Sequence, residues 1–191
     1  MPLIARAPAK LHEKIGVLHD RPGDELVIPG PGDIVLTHGT HFFSRLIRLG
    51  QRIRYRRNEP QFAQWNHVAI GVGDGEIVEA LSAGISKRHI SEYRDEKYAV
   101  VEIEASEESR QQMLDYVLWI ESLGKRYGWL MIGAITIQLL VGGRFTFNLD
   151  GSEICSTLAA EALKSAGYRF NRRLVLPADL AWYFDVGLED V

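Results

Sequence analysis

The sequence predicts an α+β domain. Strand signals are concentrated before residue 104, helical signals dominate after it, and an Asp-Gly pair joins two β-rich runs in the manner of a hairpin. The overall order, strands first and helices later, suggests an α+β domain rather than alternating βαβ units. At 191 residues the chain suits a single core, and with 46% hydrophobic and 25% charged residues it has the make-up of a folded globular protein.

Residues 1–30 read as an N-terminal arm. It holds a short amphipathic piece around Leu11, Ile15 and Leu18, the turn-rich Asp20-Arg21-Pro22-Gly23-Asp24, and a closing Pro29-Gly30-Pro31-Gly32. Asp33-Ile34-Val35-Leu36-Thr37 then reads as a short buried strand that opens the domain proper, residues 31–191. After Gly39 comes a helical pattern. Phe42, Phe43, Leu46, Ile47 and Leu49 share one face, and Arg45, Arg48 and Arg52 occupy the other.

Asn66-His67-Val68-Ala69-Ile70-Gly71-Val72 and Glu76-Ile77-Val78-Glu79-Ala80 are strands joined through Gly73-Asp74-Gly75. Tyr98 to Ile103 is a further strand. Ser106-Glu107-Glu108-Ser109 opens a helix that runs through Met113, Leu114, Val117, Leu118 and Ile120 and ends near Gly124, its acidic first turn matched to the helix dipole. The apolar run from Trp129 to Val141 contains Thr136 and Gln138. It falls short of the roughly 20 residues of a membrane span, so a buried or interfacial helix is expected. A last helix is expected from about Glu153 to Ala166, closed by Gly167.

A formal charge of -3 creates no global attraction to nucleic acid or to an anionic membrane, so no nucleic-acid partner is expected. One local patch exists, formed by Arg45, Arg48, Arg52, Arg54, Arg56 and Arg57. Most such runs are solvated helix faces, and the alternative is a phosphate-bearing surface such as lipid, reached through Arg45, Arg48 and Arg52. The first residues, interrupted by Arg6, Lys10 and His12, lack a signal-peptide core, so a cytoplasmic location is expected. A single cysteine cannot form an intrachain disulfide.

That cysteine, Cys155, falls in the first turn of the last helix, with Ser152 placed as its cap. Unpaired N–H groups and the positive end of the dipole favour a thiolate there. Two readings stand: a nucleophile, or a small buried core residue. A thiol nucleophile needs a base, and histidine is the usual one. Of the six histidines, His12 and His19 lie in the arm, His38 and His41 flank a Gly-rich turn, and His89 lies in a charged loop, all consistent with solvated surface positions. His67 differs because it begins a β-run, where it is either a base or a hydrogen-bonded structural residue. Glu79, on the partner strand, could orient its imidazole if the register brings them to one side; otherwise it is an exposed strand carboxylate.

Pro31-Gly32-Asp33-Ile34-Val35-Leu36, Asn66-His67-Val68-Ala69-Ile70-Gly71-Val72-Gly73-Asp74-Gly75 with Glu79-Ala80, Gly124-Lys125-Arg126-Tyr127 and Ile154-Cys155-Ser156 together resemble the NlpC/P60 cysteine peptidases. Their order resembles the circularly permuted branch, the YiiX/YaeF-like proteins related to lecithin retinol acyltransferase. The resemblance spans roughly Gly32 to Gly167. It implies a papain-like fold, an antiparallel sheet packed against helices with the nucleophile at a helix N-terminus. It implies Cys155 as nucleophile, His67 as base, Glu79 as third polar residue and Tyr127 as a residue lining the substrate site. The stretch between Tyr127 and Cys155 is longer than the family pattern.

The chemistry so implied is acyl transfer through an acyl-enzyme, on an amide such as a cell-wall peptide. The alternatives are a lipid-directed acyltransferase or thioesterase, and a non-catalytic binding module on the same fold. Neither a metal-ligand spacing nor a phosphate-cradling loop is evident, so no cofactor is expected.

Overall fold

The computed structural model describes residues 17–19, 23–39, 42–55, 59–81, 84–123, 155–170 and 175–188. Tyr127, the apolar run from Trp129 to Val141, the Ser152 cap, His12, His41, Arg56 and Arg57 lie outside the described residues.

Among the described residues six antiparallel strands form one sheet in the order β1-β6-β2-β3-β4-β5: β1 Val17–His19, β2 Ile34–His38, β3 His67–Gly73, β4 Glu76–Leu81, β5 Gly84–His89 and β6 Lys97–Val101. Among the described residues four α-helices accompany it: α1 Phe42–Tyr55, α2 Glu107–Ser122, α3 Cys155–Ser165 and α4 Pro177–Tyr183. The molecule is therefore α+β, as its sequence predicts. The β3–β4 hairpin turns on Asp74 and Gly75, with φ of 53° and 74°. Positive φ at both central residues is the type I′ geometry whose twist matches antiparallel strands, which is why Asp-Gly is found there.

Alternation along the strands sorts their side chains onto two faces. Ile34, Leu36, Val68, Ile70, Val78, Ala80, Ala99 and Val101 pack with Met113, Val117 and Ile120 of α2 and with Cys155, Leu158, Ala159, Ala162 and Leu163 of α3. Val35, Ala69, Ile77, Tyr98 and Val100 face the other way, where Ile90, Tyr93, Leu26 and Val27 cover them. At about 1.5–3 kcal/mol for each fully buried large aliphatic side chain, the helix-side cluster dominates stability and fixes α3 against the sheet.

The start of β2 is braced by a buried carboxylate. Asp33 accepts from the Gly30 N–H at 2.8 Å and the Ile103 N–H at 3.1 Å, and Arg110 of α2 reaches the same carboxylate at 3.3 Å. Gly71 lies against this brace: its N–H donates to the Asp33 carbonyl and its carbonyl accepts from Gly32, both at 2.8 Å. The Gly32-Asp33 and Gly71 positions of the sequence are thus one structural device.

Several expectations need correction. His89 is the last residue of β5, an edge strand where a charged loop was expected. His38 ends β2 and is half-buried: Nδ1 bonds the Gln64 carbonyl at 2.9 Å and Nε2 accepts from Arg48 at 3.1 Å. On α1, Leu49 is 50% exposed and so does not join an apolar face; on α2, Leu118 is exposed at the surface. The strand expected over Tyr98 to Ile103 runs over Lys97–Val101, because Ile103 turns away to the Asp33 carboxylate. Val17–His19 of the N-terminal arm pairs with β6 and extends the sheet.

Candidate active site

Strand register decides which side chains of β3 and β4 meet. Ala69 pairs with Glu79, and His67 lies two residues before Ala69, so the His67 and Glu79 side chains leave the sheet on one face as diagonal neighbours. The imidazole Nε2 bonds Glu79 Oε2 at 2.6 Å. Glu79 is fully buried, whereas the His67 side chain keeps 16% of its surface. An exposed strand carboxylate is therefore excluded for Glu79. Its partner is an imidazole with one edge towards solvent.

Cys155 reaches this pair from the opposite, helix-bearing face of the sheet. The β3–β4 ladder closes at Ala69↔Glu79, although β3 begins at His67 and β4 runs on to Leu81. At this open end the imidazole of His67 and the Val68 and Ser156 N–H groups act on the Cys155 thiol and favour its ionised form. Because Nε2 must donate to the carboxylate, Nδ1 is the ring nitrogen left for the sulfur. Cys155 is the first described residue of α3. Ser156 secures that first turn by donating its hydroxyl to the Val175 carbonyl at 2.5 Å.

The three groups shift one another's proton affinities in the sense of an ion pair. Burial pushes His67 down, but the Cys155 charge and hydrogen bond, followed by those of Glu79, outweigh it and raise the imidazole from 6.5 to about 10. Burial pushes the Cys155 thiol up, and the imidazolium of His67 with the Val68 and Ser156 N–H groups brings it below its ordinary value. For Glu79 burial again opposes, while His67, the Tyr93 hydroxyl and Arg88 hold the carboxyl below its ordinary range. The arrangement favours thiolate, imidazolium and carboxylate together.

Two members of the cluster carry no signal in the sequence. Tyr93, in the short 3-10 turn Ile90–Tyr93, donates its hydroxyl to Glu79 Oε2 at 2.5 Å. Arg88 of β5 approaches Glu79 Oε1 at 3.4 Å. Asn66, immediately before His67, acts on the backbone: its side chain accepts from the Gly39 N–H at 3.1 Å and donates to the Gly39 carbonyl at 3.0 Å. Arg48 donates to that same carbonyl at 2.6 Å, so one arginine of the basic patch is built into the loop beside β3, while Arg45 and Arg52 are exposed.

Among the described residues no group of three or more His, Cys, Asp or Glu is placed to hold a metal ion, and no helix is long and apolar enough to cross a membrane. Tyr127, the expected substrate-lining residue, lies outside the described residues. In comparisons with known proteins, no family model and no curated protein matches the chain.

Proposed function

We propose that the protein is a cysteine hydrolase of the permuted NlpC/P60, papain-like type, cleaving an amide bond through Cys155, His67 and Glu79. The observation that carries this reading is the position of His67. It hydrogen-bonds a buried carboxylate, at 2.6 Å, and is coupled electrostatically to the only cysteine of the chain. A core cysteine has no need of such a neighbour, whereas a nucleophile requires a base and the base an orienting group.

In the proposed reaction the Cys155 thiolate attacks the carbonyl carbon and forms a C–S bond. The backbone N–H of Cys155 at the start of α3 supplies part of the stabilisation of the developing oxyanion. The C–N bond breaks as imidazolium His67 gives its Nδ1 proton to the departing amine. Neutral His67 then takes a proton from water, whose oxygen attacks the thioester and releases the acid. Glu79 keeps the ring in its Nε2–H tautomer throughout. Peptide amides, including cell-wall peptides, are the substrate class of this reading.

A second reading, a lipid-directed acyltransferase or thioesterase, draws support from α1, where the 50%-exposed Leu49 lies among Arg45, Arg48 and Arg52. One experiment addresses both. The protein is incubated with peptide amides, aryl amides and acyl esters, quenched in acid, and the mass increase on Cys155 is mapped. An acyl adduct with one class, absent in Cys155→Ala and slowed about 10²–10⁴-fold in His67→Ala, is the expected result. No adduct with any class, from protein whose thiol is otherwise reactive, favours the non-catalytic binding module.

A further inference from the structure

We propose that Tyr93 and Arg88 are positioning residues that keep Glu79 ionised, and thereby keep the proton of the catalytic group on His67. This inference rests on the hydrolase reading above and extends it to the shell behind the third residue.

A carboxylate removed from water takes up a proton unless donors and a counter-charge compensate for the lost solvation. Glu79 is fully buried. Three donors meet it from three elements: His67 Nε2 of β3 at 2.6 Å, the Tyr93 hydroxyl at 2.5 Å and Arg88 of β5 at 3.4 Å. Tyr93 is itself buried, and burial together with the Glu79 charge raises its proton affinity, so its phenol stays protonated and acts only as a donor. A protonated Glu79 would lose these bonds or turn them against its own hydroxyl.

Charge balance points the same way. Thiolate, imidazolium and carboxylate sum to one negative charge, and the Arg88 guanidinium brings the buried set to neutrality. Register places it there: Glu79 pairs with Ser86, and Arg88 lies two residues further along β5 on the same face. The remaining charges nearby are Glu92, which pairs with Arg88 from the outer side, and Glu96, which acts on Tyr93. Neither touches Glu79. Removing the Tyr93 hydroxyl or the Arg88 charge raises the proton affinity of Glu79, so the carboxylate competes with the imidazole for the Nε2 proton; as that proton moves to Glu79 the positive charge beside Cys155 is lost, and the pH at which Cys155 ionises rises.

The test is the pH dependence of Cys155 alkylation by iodoacetamide in wild type, Tyr93→Phe, Arg88→Gln and Arg88→Lys, each checked for a native thermal transition. The expected midpoint moves up by about one pH unit in Tyr93→Phe and Arg88→Gln, a roughly tenfold loss of alkylation rate below the midpoint, and returns most of the way in Arg88→Lys. A purely structural role leaves the midpoint where it is. Folded variants that titrate with the wild type overturn the inference. Should Tyr93→Phe not fold, Arg88→Gln decides alone, since Arg88 is about one-third exposed and its replacement leaves no cavity in the core. A wild-type thiol that titrates like free cysteine overturns the hydrolase reading itself, and this inference with it. A low wild-type midpoint with unshifted variants overturns only the present inference.

Discussion

Replacing Gly71 by alanine tests how the frame around the site is held. The new methyl would overlap the Gly30 carbonyl oxygen and lie 2.9 Å from Pro29 Cβ and 3.4 Å from the Gly30 carbonyl carbon. These are backbone and proline atoms, which cannot swing aside as a flexible side chain can. Relief requires the 29–33 turn to move off β3, and that turn carries the Asp33 N–H bond to Gly30 at 3.1 Å and the Gly32 bond to Gly71 at 2.8 Å. Overpacking costs about 1–3 kcal/mol, and a weakened hydrogen bond adds about 0.5–1.5 kcal/mol, so the loss is about 2–4 kcal/mol. With a urea m-value of about 2 kcal/mol/M, the unfolding midpoint falls by about 1–2 M at unchanged slope. A midpoint within about 0.3 M of wild type would show that the turn yields freely, and that Gly71 is not a packing requirement.

Other outcomes follow from the ion pair. His67, raised, contributes stability that is complete below its unfolded value of 6.5 and lost as pH rises towards about 10. Cys155, lowered, contributes stability that is complete above about 8.5 and lost as pH falls through its folded value. Above about pH 6.5, where Cys155 is ionised, and up to about pH 8.5, the two slopes cancel, so urea midpoints relative to the Cys155→Ala, His67→Ala double variant should be flat over that range and fall above it. A difference that slopes in one direction throughout contradicts the pair. Glu79→Gln, which removes the carboxylate charge but keeps its shape, should lower the alkaline limit of activity by about one pH unit, measured on whichever substrate acylates Cys155; an unmoved limit would remove Glu79 from the mechanism. On the lipid-directed reading, Arg45→Glu with Arg52→Glu should weaken binding to phosphatidylserine vesicles at least about 30-fold, at about 1 kcal/mol per arginine lost. Unchanged binding in a sedimentation assay removes the basic patch from that role.

The hairpin was legible because one dipeptide, Asp74-Gly75, is compatible with a turn that most residues cannot adopt. The thiol and the imidazole were legible because chemistry limits the choice: one cysteine at a helix start, and one histidine opening an apolar strand. Glu79 could be nominated but not placed, since the sequence does not set the β3–β4 register, and a single-residue slip would send its carboxylate to the other face. Tyr93 and Arg88 were hidden for a different reason. His89 reads as part of a charged loop, and Gly84-Ile85-Ser86-Lys87-Arg88-His89 becomes an edge strand only because β4 supplies a ladder for it. Edge strands carry such charges routinely, so local pattern does not reveal them. The helix Pro177–Tyr183 was masked by its proline, which occupies the first turn, where it costs no hydrogen bond. His38 looked solvated because the partners that half-bury it, Gln64 and Arg48, come from segments that only the folded chain brings together.

The central claim is that Cys155 and His67 form a thiolate–imidazolium pair. The most direct test is the rate of Cys155 alkylation by iodoacetamide against pH, in the native protein and in His67→Ala. A thiolate–imidazolium pair gives a thiol that reacts well below the roughly 8.5 of free cysteine, and a variant whose reactive fraction appears only at or above that value. A thiol that stays inert until the protein unfolds, or one indifferent to the loss of His67, would contradict it.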